Sequence, residues 1–209
     1  MRRHARWKVG IVTTVVATAV ASQPAGWGAA RATGDPAAWA EIVAAFAKLS
    51  SLPGYRVKVA SPSEELTADR EVVPGHALHE LIHDHQLTLE TITVGGDSRH
   101  RLVVAGRAGA WQCDRKPHSA EPDPTTMQET VRAARGADAV IDGAQMHVVT
   151  YSWDVLVAGK YVSRQTTVYV DPRTGLPRRS VSPLVRGEYI LDYYDYGAKI
   201  KITLPICGS

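Results

Sequence analysis

His79-Glu80-Leu81-Ile82-His83 is an HExxH run. On a helix this spacing puts two imidazoles on one face as zinc ligands, with the carboxylate between them as general base. His76 and His85 flank the run, and five of the seven histidines after residue 32 fall between positions 76 and 100. The longer HExxHxxGxxH form fails, because Gln86 stands where glycine is required. Asp84 takes a place that is apolar in zinc peptidases, and only unmarked acids such as Glu121 or Glu129 could supply a third ligand. In an extended segment His79 and His83 would lie about 13 Å apart on one strand face, too far to share an ion. A small zinc peptidase using His79 and His83 is therefore the enzymatic alternative, against a plain solvated polar segment.

Other chemistry-bearing residues are sparser. Asp192 and Asp195 flank a tyrosine pair. Their odd spacing sends them to opposite faces of a strand, so they form no carboxylate dyad. Tyr189, Tyr193, Tyr194 and Tyr196 read as sheet packing. No phosphate loop and no nucleophile elbow occurs, and the reading expects no catalytic residue and no cofactor. The two cysteines, Cys113 and Cys207, lack CxxC spacing. In an oxidising compartment they would pair as one disulfide.

The compartment is argued from the first 32 residues. Arg2, Arg3, Arg6 and Lys8 precede an apolar or small-residue run from Val9 to Ala21. At 13 residues that run is too short to span a bilayer, which takes about 20. Basic start, short apolar core and small-residue exit describe a secretory signal, with cleavage expected after Ala32. No cysteine follows the core to take a lipid anchor. Residues 1–32 carry five of the 24 Lys/Arg and none of the 21 Asp/Glu. Residues 33–209 then keep 19 basic and 21 acidic groups, so the +3 of the full chain turns to −2 and no basic stripe remains for nucleic acid.

The elements come next. Asp35-Pro36 caps and opens a helix whose Trp39, Ile42, Val43, Phe46 and Leu49 form one apolar stripe ending at Ser50-Ser51. Such a stripe has to lie on something apolar. Strands are expected over 55–60, 87–94, 101–105 and around Trp111, then a second helix from Thr125 or Thr126 to Arg135. From Gln145 the chain reads as antiparallel β: 146–157, 161–170, 177–183, 188–196 and 199–204, with Asp171-Pro172-Arg173-Thr174-Gly175 as a strong turn. The sum is an α+β domain over 33–209, a strongly curved antiparallel sheet covered by short helices.

The stretch Tyr169-Val170-Asp171-Pro172-Arg173-Thr174-Gly175-Leu176-Pro177-Arg178-Arg179 resembles a hairpin of the LolA-like family of periplasmic lipoprotein-sorting proteins. Asp192 to Pro205 resembles the family's closing strands. Val94-Gly95-Gly96 followed by Gly109-Ala110-Trp111 is similar to an earlier hairpin. The histidine-rich first half departs from that pattern, and the disulfide need not belong to it. The resemblance implies an unclosed β-barrel with a helical lid and an apolar cavity that holds acyl chains, without catalysis. It implies a periplasmic carrier whose ligand is a lipid or acylated protein and whose partners are envelope transport components; a non-catalytic envelope scaffold is the other non-enzymatic reading. Expected cavity walls are Trp39, Ile42, Val43, Phe46 and Leu49 from the helix, with Leu87, Leu89, Val155, Val168, Val170, Ile200 and Ile202 from the strands. A one-residue slip of register would invert each strand's set.

Overall fold

The computed structural model describes residues 31–113, 130–157, 160–185 and 187–208. The chain enters through β1 (Arg31–Gly34) and one helix, α1 (Pro36–Ser50). A meander follows: β2 (Tyr55–Ser61), β3 (Leu66–Val73), β4 (Ala77–Asp84), β5 (Leu87–Val94) and β6 (Asp97–Val104). Two short strands, β7 (Arg107–Ala108) and β8 (Gln112–Cys113), fold back on β6. The second half holds β9 (Thr130–Arg135), β10 (Ala139–Ile141), β11 (Ala144–Val157), β12 (Lys160–Asp171), β13 (Leu176–Pro183) and β14 (Glu188–Tyr194). All fourteen make one sheet in the order β1-β9-β11-β12-β13-β14-β2-β3-β4-β5-β6-β7, with β10 on β11 and β8 on β6. Its two outer edges, β1 and β7, do not meet, so the curved sheet is an unclosed barrel.

Local chemistry sets the helix limits. The Asp35 carboxylate accepts from the N–H groups of Ala37 and Ala38 at 2.9 and 3.2 Å, satisfying donors that the first turn leaves unpaired. At the other end the Ser51 hydroxyl donates to the Lys48 carbonyl at 2.7 Å. The stripe packs directly on the sheet: Ala38, Trp39, Ile42 and Ala45 bury against Ala133, Val149, Tyr151, Val168 and Val170. Leu49 joins a second cluster with Tyr55, Val57, Val59, Ala68, Val72, Leu176, Leu191 and Tyr193. Phe46 lies against both clusters, its ring edge-on to Tyr193 with centroids 6.3 Å apart. Polar bonds hold the helix at both ends. Glu41 takes His147 Nδ1 at 2.6 Å and Arg135 Nη1 at 2.9 Å, and Lys48 Nζ donates to the Thr174 carbonyl at 2.6 Å.

Three expectations are corrected. Thr130–Arg135 is a strand, not the end of a second helix, and residues 125–129 of that expected helix lie outside the described residues. Val131 and Ala133 face α1 while Arg132 and Ala134 face away, a period of two that pairing with β11 and β1 imposes over helix propensity. Residues 66–84 form two full strands where no strand was expected. Lys199–Leu204 is not a strand. The neighbouring β14 is already paired on both edges, by β13 and β2, which leaves no ladder for a further strand to join.

Residues 195–208 instead form a tail that leaves β14 beside the start of β2. Gly197 N–H donates to the Gly54 carbonyl at 2.9 Å. A Cβ on Gly54 would stand 2.6 Å from the Ala198 carbonyl oxygen, so this crossing requires glycine. The tail ends at β8, where Gly208 N–H meets the Trp111 carbonyl and Cys207 bridges to Cys113, their Cα atoms 5.8 Å apart. The disulfide is thus present.

Candidate ligand-binding face

The ladders fix which side chains share the concave, helix-bearing face. On β2 the buried positions are Tyr55, Val57, Val59 and Ser61. Following the cross-strand partners from β2 to β6 gives a grid. One row runs Val57, Arg70, Glu80, Thr91, His100 and on to Gln112 of β8. The next runs Val59, Ala68, Ile82, Leu89, Leu102, and the next Ser61, Leu66, Asp84, Leu87, Val104.

Leu102 is 51% exposed, Val104 49% and Leu87 45%. Leu87 lies directly across from Val104, and Leu89 across from Leu102. They form a contiguous apolar patch on the inner face of β5 and β6, with Ile82 at its inner edge. Helix α1 rests on β9 and β11 to β13, away from this patch.

The expected wall residues therefore divide. Trp39, Ile42, Val168 and Val170 meet in the core under the helix, Val43 and Phe46 pack at its edge, and Leu49 belongs to the second cluster. Leu87 and Leu89 share the concave face in the uncovered part of the sheet. Val155 sits on β11 opposite Val162, and its side chain lies outside the described residues. Ile200 and Ile202 lie on the tail, half-buried, with Ile200 against Gly54.

The HExxH run is the middle of β4, a strand and not a helix. His79 and His83 face the convex side and Glu80 the concave side, so base and would-be ligands are on opposite surfaces. His79 stands between two carboxylates, Nε2 at 3.0 Å from Glu90 and Nδ1 at 3.5 Å from Glu71. His83 Nδ1 is 3.0 Å from the Thr88 hydroxyl. The His79 contacts belong to a line of polar side chains across the convex face: Asp195, Arg56, Glu71, His79, Glu90 and Arg101. The Arg101 guanidinium ends it, 4.4 Å above the Trp111 ring. Among the described residues no group of three His, Cys, Asp or Glu side chains is placed to hold a metal ion.

On the concave side Arg70 Nε donates to Glu80 Oε1 at 2.5 Å, and Arg70 Nη2 to the Tyr189 hydroxyl at 3.1 Å. Arg70 is 4% and Glu80 8% exposed. Burial opposes the charge on Arg70, and Glu80 and Tyr189 outweigh it, so the guanidinium's pKa is raised. Burial pushes the Tyr193 hydroxyl up to about 12 and raises Tyr55 and Tyr151 as well. The pairing of Arg70 with Glu80 escaped the sequence, where Glu80 stood only as the carboxylate of HExxH, because an Arg and a Glu ten residues apart carry no motif; only the register of β3 and β4 unites them.

An unclosed, curved sheet with one helix packed on its face is a fold that known structures share. No family model matches the sequence, and no curated protein matches it. Solved structures do. The lipoprotein LppX of Mycobacterium tuberculosis superposes with a TM-score of 0.60 at 17% identity, over 81% of this chain and 100% of that one. LprF of Mycobacterium bovis gives 0.53 at 14% identity, over 83% of this chain and 99% of that one. At these identities the likeness establishes the fold alone.

Proposed function

We propose that this chain is an exported envelope carrier that holds an apolar, acyl-chain ligand on its concave face beside the helical lid. The observation that carries the reading is the patch of Leu87, Leu89, Leu102 and Val104, which turns half-exposed apolar side chains toward the hollow of the sheet. Apolar surface gathered on a concave wall is a ligand face. The LolA-like resemblance and the fold shared with a mycobacterial lipoprotein support the same role. Export rests on residues 1–32, and cleavage after Ala32 predicts a secreted product that begins at Thr33 and keeps only Thr33 and Gly34 of β1, which intact mass checks. Lipids or acylated proteins are the ligands in this reading, and envelope transport components the partners.

The test is binding of a pyrene-labelled hydrocarbon, followed by fluorescence, with thermal melts alongside. Leu102→Glu places a charge in the patch at a half-exposed position, so the fold should persist while binding is lost. A wild-type protein that binds no probe, or a Leu102→Glu variant that binds as well as wild type, leaves the non-catalytic scaffold reading in its place.

A further inference from the structure

One row of the concave face is polar at every position from β3 outward. Arg70, Glu80, Thr91, His100 and Gln112 are successive cross-strand neighbours. At the usual strand spacing the row is about 19 Å long. Beside it, on the same face, runs the row of Ala68, Ile82, Leu89 and Leu102. An apolar surface edged by a polar line is matched by an amphiphile, not by a bare hydrocarbon.

The row keeps unspent hydrogen-bonding atoms. Arg70 uses Nε on Glu80 and Nη2 on Tyr189, leaving Nη1. Glu80 uses Oε1, leaving Oε2. The Thr91 hydroxyl bonds no described side chain. Among the described residues the sole sealed side-chain polar atom without a partner is Arg99 Nε, on the convex side, so these three atoms reach the surface. Farther out, His100 Nε2 lies 3.1 Å from Gln112 Oε1, which leaves the Gln112 amide N–H groups as donors at the open end.

We infer that this row reads an uncharged, hydroxyl-bearing head group, so that the ligand is an acylated polyol and not a free fatty acid or a phospholipid. The inference rests on the carrier reading above. A hydroxyl both donates and accepts, and Glu80 Oε2 and Arg70 Nη1 offer one acceptor and one donor on adjacent strands. A carboxylate or phosphate only accepts. It would have to approach the Glu80 carboxylate, and the arginine charge that could balance it is already neutralised at 2.5 Å. Taking such an anion out of water without a free counter-charge is unfavourable. A head with no hydroxyl would desolvate the row and leave its polar atoms unpaired, the situation in which hydrogen-bonding sites discriminate most strongly.

The experiment displaces the pyrene-labelled hydrocarbon from the purified protein with four competitors that share one oleoyl chain: monooleoylglycerol, methyl oleate, oleate and oleoyl-lysophosphatidylglycerol. Monooleoylglycerol should displace at about tenfold lower concentration than the other three, the worth of one or two net hydrogen bonds. Thr91→Val, isosteric and beside the buried ion pair without bonding to it, should cut that advantage to about threefold with the melting temperature unchanged. Glu80→Gln, if folded by its melt, should narrow it further. Oleate or the lysophospholipid displacing as well as monooleoylglycerol overturns the inference, and so does a Thr91→Val variant that keeps the full advantage. Failure of the probe to bind wild type is a different result, and removes the carrier reading itself.

Discussion

The Arg70–Glu80 pair allows a sharp energetic test. The two side chains are only 5% and 10% exposed, and their 2.5 Å contact joins neighbouring strands β3 and β4. Removing one member leaves the other charged, buried and unbalanced, which costs about 3–5 kcal/mol. For a domain of this size about 1 kcal/mol moves the melting temperature by 2–4 °C. Arg70→Met and Glu80→Leu should each lower it by roughly 10 °C on that scale. The double variant replaces the pair with apolar groups of similar volume and loses no charge balance. It should recover to within about 1–2 kcal/mol of wild type, because buried pairs exchange for apolar packing at little net cost. The Tyr189 hydroxyl loses its donor in both Arg70 variants, so the recovery should be incomplete. Urea denaturation of the four proteins gives the coupling energy as a double-mutant cycle. Losses that simply add, or single variants within about 1 kcal/mol of wild type, would refute the picture of a desolvated pair on the concave face.

The other expectations are briefer. Phe46, half-buried between the two clusters, should cost less on truncation to Ala than the about 3–5 kcal/mol of a fully packed phenylalanine, while Ile42→Ala, at 0% exposure, should lose about 2–5 kcal/mol in the same denaturation assay. Thiol labelling of the unfolded, unreduced protein should find no free cysteine, and reduction should lower stability by up to about 4–5 kcal/mol, the chain-entropy value for a loop of this length. Two labelled thiols would contradict the bridge. Tyr193 and its buried neighbours stay protonated in the fold above the pH where an unfolded tyrosine ionises. Stability should therefore be level below pH about 10 and fall as pH rises from there through about 12, by about 1.4 kcal/mol per pH unit for each such tyrosine. An ultraviolet titration showing every tyrosine ionising near pH 10 with the fold intact would contradict this. Purified protein should hold no stoichiometric zinc; zinc lost in both His79→Ala and His83→Ala would return the HExxH run to metal chemistry.

The sequence was most legible where one rule acted alone. Asp35-Pro36 and Ser50-Ser51 bound the helix because capping is local, and the turns at Gly95-Gly96 and Pro172–Gly175 depend on their own few residues. Strands β3 and β4 were hidden because their inward positions include Arg70, Glu80 and Asp84, so the alternation of apolar and polar residues breaks where the concave face is polar. Lys199–Leu204 erred the other way. Its alternation is that of a strand, but a strand also needs a free edge, and edges are a property of the whole sheet. The helix stripe was read correctly as buried, and what it buries against became visible only with the order of strands that brings β9 and β11 to β13 beneath it.

The seam between β14 and β2 has a consequence for how the molecule assembles. From β2 to β6 and from β11 to β14 the sheet is a run of hairpins whose partners are close in the chain, and such ladders form quickly. The seam instead joins residues such as Arg56 and Tyr194, 138 positions apart. The same C-terminal stretch, beyond Gly187, also carries Cys207 to Cys113. As the chain emerges, β2 must wait with an unpaired edge, and Cys113 with an unpaired thiol, until the last residues arrive. Those residues then zip the seam and tie the strap in one late event. A chain stopped at Gly187 would keep β1 on β9 and α1 on β11 and β12 but lack the seam, and the exposed edge of β2 would be where it aggregates.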